Sequence, residues 1–196
     1  MRLIGLTGTH GSGKTTLIEA FEGQEVVVVK TSISAIYKAR GLNPQLPMSL
    51  DTRLDVQEEI LAHLLKEWAT PFSQAADGQQ ITVLTDRTPM DFVGYLLCEV
   101  SGYGELTSYQ NARIEAYVTQ CISVSHMFDA IIHVPIGLPM VKRDKVSAVD
   151  SMGYRMHLDM VMKGAMSHHP QTFSLSGTDH DNRVSQVQAV IKAVTE

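Results

Sequence analysis

Eight consecutive residues, Gly8-Thr9-His10-Gly11-Ser12-Gly13-Lys14-Thr15, carry the spacing G-x-x-x-x-G-K-[ST] just after the apolar run Leu3–Leu6. Small residues at these places let successive backbone N–H groups turn inward around phosphate oxygens. A helix starting near Lys14 adds the positive end of its dipole. Lys14 then reaches the β- and γ-phosphates of a nucleoside triphosphate, and the Thr15 hydroxyl ligates Mg²⁺. Gly8, His10, Gly11, Ser12, Gly13, Lys14, Thr15 and Thr16 are therefore the candidate cradle for ATP and Mg²⁺. The plain alternative is a glycine-rich turn that matches by accident. Strand, glycines, lysine and threonine all falling where the mechanism needs them argue against it.

A second constellation closes the run Ile81–Leu84, which continues into Thr85-Asp86-Arg87. A carboxylate at the end of a strand beside a phosphate loop can hold the metal or its waters, take the proton of an acceptor hydroxyl, or share both tasks. Arg87, next to Asp86, offers paired N–H donors for an acceptor phosphate or for the group in transfer. An ordinary strand-end ion pair is the alternative, and Asp91 is a candidate cap for the helix that follows.

Such residues need elements to hold them. Apolar runs at 3–6, 26–29, 81–84, 130–134 and 172–175 alternate with helical patterns, and this βαβα order predicts a parallel sheet covered on both faces. Helices are predicted at 15–21, after the second strand as far as Arg40, at 50–68, 89–100, 108–125 and 181–194. The long one begins at Ser49 or Asp51 and stops before Pro71. With 196 residues, 44% of them hydrophobic, the expectation is one domain over 1–196. Residues 137–170 stand out as a lid-like insertion with Lys142, Arg143, Lys145, Arg155 and Lys163 and the methionines 140, 152, 156, 160, 162 and 166. They would form either a basic cover for the phosphates or a plain helical hairpin whose methionines fill core gaps.

Composition narrows the class. A net charge of −5 disfavours a nucleic-acid partner. No apolar run nears the ~20 residues a membrane span needs. Two cysteines, Cys98 and Cys121, suit a reducing cytoplasm rather than a disulfide framework. His168-His169 read as loop residues before Pro170 rather than metal ligands. Oligomeric state, a homodimer included, stays open.

The stretches GTHGSGKTT and VLTDRTPMDFVGYL and the basic insertion before the last strand resemble the P-loop nucleoside and nucleoside-monophosphate kinases, closest to the NadR-like and AAA-type "ATPase/kinase" branch of phages and bacteria. The resemblance implies an α/β fold, the P-loop NTPase three-layer sandwich, with five parallel strands in the order 2-3-1-4-5 and a helical lid. It implies Arg143 and Arg155 as lid arginines and Arg183 as a residue packing on the adenine. The chain departs from the family pattern in lacking a tidy R-x-x-x-R lid. It also has Thr88 where a Tyr or Ser often follows the Asp-Arg pair.

For the acceptor, Arg53 and Gln57 share a helix face and can meet a phosphate and a base edge together. Arg40, Tyr37 and Phe92 join them as candidates, with Tyr95 as a further stacking residue; solvent-facing or core roles are the alternatives for each. The expected activity is ATP- and Mg²⁺-dependent transfer of the γ-phosphoryl to a small-molecule nucleotide acceptor, a deoxynucleoside monophosphate fitting best. A nucleoside acceptor of nicotinamide-riboside type, and an ATPase or switch without an acceptor, are the alternatives. The absence of an Asn-Lys-x-Asp motif speaks against a GTPase switch.

Overall fold

The computed structural model describes residues 1–44, 46–137 and 151–196. Arg143, together with Lys142, Lys145 and Met140, lies outside the described residues. Five strands form one parallel sheet: β1 (Arg2–Thr7), β2 (Val26–Val29), β3 (Thr82–Thr85), β4 (Ala130–His133) and β5 (Thr172–Ser174). Their order is β2-β3-β1-β4-β5, as the family resemblance implied. Seven helices are described: α1 (Lys14–Glu19), α2 (Ile33–Ala39), α3 (Leu50–Gln74), α4 (Pro89–Val100), α5 (Ser108–Ser125), α6 (Met152–Met166) and α7 (His180–Thr195).

The apolar runs become strands because both faces of the sheet are covered. On one side α2, α3, α4 and α5 bury Leu54, Ile60, Leu64, Trp68 and Phe92 against Leu3 and Val83. On the other, Leu17 and Ile18 of α1 and Val187 and Val190 of α7 meet Ile4, Leu6 and Ile132. A smaller cluster, Cys98, Leu158 and Met162, joins α4 to α6.

Register decides where chemistry collects. Gly5 of β1 pairs with Thr85 of β3, so the segments that follow the two strands, one opening at Gly8 and one at Asp86, emerge at the same carboxyl edge of the sheet. The backbone there is tight. A Cβ on Gly5 would stand 2.4 Å from Thr88 Cγ2 and 2.7 Å from Phe128 Cε1, which is why a strand interior tolerates glycine at that place. Trp68 on α3 donates from Nε1 to Thr85 Oγ1 at 3.2 Å and meets Phe128 edge-on, fixing the long helix against the strand end that carries Asp86.

Two expectations are corrected. α3 does not stop before Pro71 but runs through it to Gln74, because a proline removes only one ladder bond and Trp68 already binds the helix to the core. The methionines of the insertion do not act alike. Met162 and Met166 are core residues, whereas Met152, Met156 and Met160, spaced four apart on one side of α6, are exposed.

Candidate functional site

The loop between β1 and α1 turns on glycines. Gly13, at φ 93°, caps α1 in the left-handed region. A Cβ on Gly8 would lie 2.5 Å from the Val134 carbonyl. Lys14 opens α1 and folds back, its Nζ donating to the Gly8 and Thr9 carbonyls, the latter at 2.9 Å. Burial, then the Arg87 charge beside it, pulls the Lys14 pKa down to about 8, against the opposing pull of Asp91 and Asp86. Thr15 and Thr16 lie exposed on the first turn of α1. Ser12 is fully buried, and its hydroxyl makes no hydrogen bond.

Asp86 is 4% exposed and uses both oxygens: Oδ2 accepts from Thr15 Oγ1 at 2.8 Å, and Oδ1 accepts from the Thr31 amide and hydroxyl at 3.1 and 3.2 Å. It thus links the loop to the segment after β2. Asp91 is a cap, as its position suggested, and more. Its Oδ2 accepts from the Thr88 amide at 2.9 Å, completing a capping box on α4. Its Oδ1 accepts from the Gly8 amide at 3.3 Å and lies 3.8 Å from Lys14 Nζ and 3.7 Å from Arg87 Nη1.

Arg87 stands between loop and cleft. Burial works to lower its pKa, but Asp91, Tyr95 and Asp86 outweigh it and hold the guanidinium charged. Its Nε and Nη1 make no hydrogen bond and are shielded from water. Arg155, on α6 and 1% exposed, donates from Nη2 to the Gly11 carbonyl at 3.3 Å, and its Nε too has no hydrogen-bond partner. Both arginines sit close enough to Lys14 to act on its charge.

Arg183 is 2% exposed and donates to the Gly177, Ser12 and Pro135 carbonyls at 3.0, 3.2 and 3.1 Å. It braces the loop from behind, a different job from an open adenine contact, because all three bonds go to backbone that must be held in place.

Beside the loop lies a cleft of about 270 Å³. Tyr37 of α2, Arg53, Gln57 and Ile60 of α3, Phe92, Tyr95 and Glu99 of α4, and Tyr154 of α6 line it, with His10 and Arg87 at the loop end. Of the residues named for the acceptor, Tyr37, Arg53, Gln57, Arg87 and Phe92 come together here. Arg40 does not: it caps α2 in solvent and pairs with Glu59. Glu59 is two residues on from Gln57, about 200° around α3, so its partner faces away from the cleft. The His10 amide donates to the Tyr95 hydroxyl at 3.1 Å, joining loop to cleft wall. His169 serves the core, its Nε2 3.0 Å from the Phe128 carbonyl.

Sequence reasoning missed Thr31, Glu99 and Tyr154. Glu99 had a signal, since Phe92, Tyr95 and Glu99 follow one another at helical spacing on one face of α4. Thr31 had none, being a loop residue joined to Asp86 only by the fold.

A family model described as an AAA domain matches residues 3–183. The chain belongs to the AAA domain family. Among solved structures, this AAA domain chain is similar to the NadR protein in complex with NR, at TM-score 0.72 and 12% identity over 100% of this chain and 52% of that one. It therefore spans about half the length of that NadR chain. It is similar also to the thymidylate kinase from Candida albicans, at TM-score 0.64 and 14% identity over 98% and 91% of the two chains. A deoxyadenosine kinase from M. mycoides, with products dCMP and a flexible dCDP bound, aligns at TM-score 0.58 and 12% identity over 98% and 99%. No curated protein matches the sequence. The AAA domain chain thus has the fold of P-loop nucleoside and nucleotide kinases.

Proposed function

We propose that this chain is an ATP- and Mg²⁺-dependent kinase that passes the γ-phosphoryl to a nucleoside monophosphate bound in the cleft. The observation that carries the reading is Arg87, whose Nε and Nη1 make no hydrogen bond although shielded from water at the junction of phosphate loop and cleft. A buried guanidinium keeps unsatisfied donors at a cost of about 1–3 kcal/mol, a cost an arriving phosphate removes. Arg155 Nε, beside the loop, offers the same.

The donor set fits the reactants. The loop amides and Lys14 suit phosphate oxygens, and the oxygens of Thr15 and Asp86, 2.8 Å apart, suit a hard divalent cation. Magnesium held there neutralises charge on the triphosphate. The rest is work for the chain: the loop and Lys14 hold the donor, Arg87 and Arg155 balance charge on the transferring group, and the aromatic walls orient the acceptor. An acceptor phosphate oxygen bonds to the γ-phosphorus as the bond to the β–γ bridging oxygen breaks, and ADP leaves. With a hydroxyl acceptor, Asp86 is the carboxylate we assign to take the released proton.

A neutral nucleoside is the second reading, favoured by Arg53. Its charge is already paired with Glu99, so the cleft offers little surplus positive charge beyond Arg87. We take residues 1–196 as one kinase domain with 137–170 as its lid, working in the cytoplasm. No helix among the described residues is long and apolar enough to cross a membrane. The test is a panel of nucleosides and monophosphates with γ-labelled ATP. Label should appear on a monophosphate first. Hydrolysis of ATP with no labelled acceptor would give the protein to the ATPase or switch class instead.

A further inference from the structure

Besides Arg87, the cleft is lined by polar groups whose hydrogen-bonding capacity the fold does not use in full. On α4, Glu99 stands four residues, about 6 Å, beyond Tyr95, and the ring centroid of Tyr154 lies 6.4 Å from that of His10. Glu99 Oε2 lies 2.8 Å from Arg53 Nε, yet neither atom makes a hydrogen bond and both are shielded from water. The Tyr154 hydroxyl is in the same condition. Gln57 accepts from the Tyr117 hydroxyl at Oε1, 3.3 Å away, which leaves its amide nitrogen as a donor. Arg53 is oriented by giving Nη1 to the Tyr37 hydroxyl at 3.1 Å.

A buried ion pair in imperfect geometry adds little net stability, so the fold alone gives no reason for this one. Burial raises the Glu99 pKa, and Arg53 only partly offsets it: the carboxylate is short of donors. Tyr37 and Phe92 also line the cleft, and aromatic walls suit a planar ring.

On the kinase reading above, we propose that Glu99, Arg53, Gln57 and Tyr154 select the acceptor's base, preferring one whose outer edge carries an –NH₂ group beside a ring nitrogen or carbonyl. The amino group donates to Glu99, and the neighbouring acceptor atom takes a bond from Arg53 or Gln57. A keto oxygen in the outermost place would face the carboxylate and leave both unpaired in a water-poor site, the situation in which enzymes discriminate most strongly.

Equilibrium dialysis measures this selection without turnover. The probes are cytidine against uridine and adenosine against inosine, each as nucleoside and as 5′-monophosphate, with labelled-ATP transfer run on the same compounds. The amino member of at least one pair should bind about tenfold or more tightly than its keto partner. Glu99→Gln should cut that ratio to about threefold or less. Since Glu99→Gln leaves Arg53 unpaired and can cost the fold, Tyr154→Phe, which deletes only an unbonded hydroxyl, should by itself weaken the amino member several-fold. Equal binding across both pairs, no binding of any probe, or a ratio unmoved in both variants overturns the proposal. Selective binding with no phosphoryl transfer supports base selection and removes the kinase reading alone.

Discussion

At the residue scale the most informative group is Lys14, whose ammonium sits where the protein disfavours charge. In the unfolded chain the amine keeps the ordinary lysine value of 10.5, and in the folded chain burial brings it to about 8. Between those values the unfolded state binds more protons, so the cost of the buried charge is complete below about pH 8 and is relieved as pH rises toward 10.5. A triphosphate reverses the balance by holding the ammonium form. Nucleotide binding near pH 9 should therefore take up protons, and titration calorimetry in two buffers of different ionisation heat should give different apparent enthalpies. Identical heats in both buffers would mean that Lys14 does not meet the phosphates. Replacing the side chains separates their roles. Lys14→Ala should lower turnover on the order of 10²–10³-fold with nucleotide binding weakened, whereas Arg87→Ala should lower transfer by a similar factor and leave ATP affinity within about threefold. Unchanged transfer in Arg87→Ala would leave its unbonded nitrogens without a job.

At the element scale, what could be read in advance was what local periodicity controls. Buried-type runs gave all five strands, and the glycine-lysine spacing gave the loop, because both depend on neighbours in sequence. Pairings between helices had no such signal. Arg40, at the end of a predicted helix, reads in sequence as a companion of Arg53 and Gln57, and only the facing of α2 against α3 turns it toward Glu59. Arg183 opens a helix as expected, but its three carbonyl partners come from segments 6, 171 and 48 residues away. The contact between α4 and α6 is the sharpest case. A Cβ on Gly94 would lie 2.5 Å from Met162 Cγ and 3.2 Å from Leu158 Cδ1, so one small residue lets α6 approach with Tyr154 and Arg155. Gly94→Ala should cost about 1–3 kcal/mol through overpacking and displace α6. A denaturant melt with parallel kinetics checks it: stability and transfer should fall together, and a wild-type melt would mean that Met162 simply yields.

At the scale of the whole molecule, the two thiols stand in different parts of the interior. Cys98 belongs to the small cluster between α4 and α6, and Cys121 to the larger core under α3, α4 and α5. Burial pushes both thiols up, Cys98 to about 11 and Cys121 to about 12, so neither offers much thiolate near neutrality while covered. Reaction with a thiol reagent then needs an opening, and the two sites need different ones. Cys98 should be labelled faster than Cys121, at a rate set by excursions of α6 from α4. Bound nucleotide should slow Cys98 more than Cys121, and mass spectrometry of timed samples distinguishes them. Equal rates would mean that the α4–α6 seam opens only with global unfolding. The chain thus carries a native pair of clocks, one timing the α4–α6 seam beside Arg155, the other timing the fold itself.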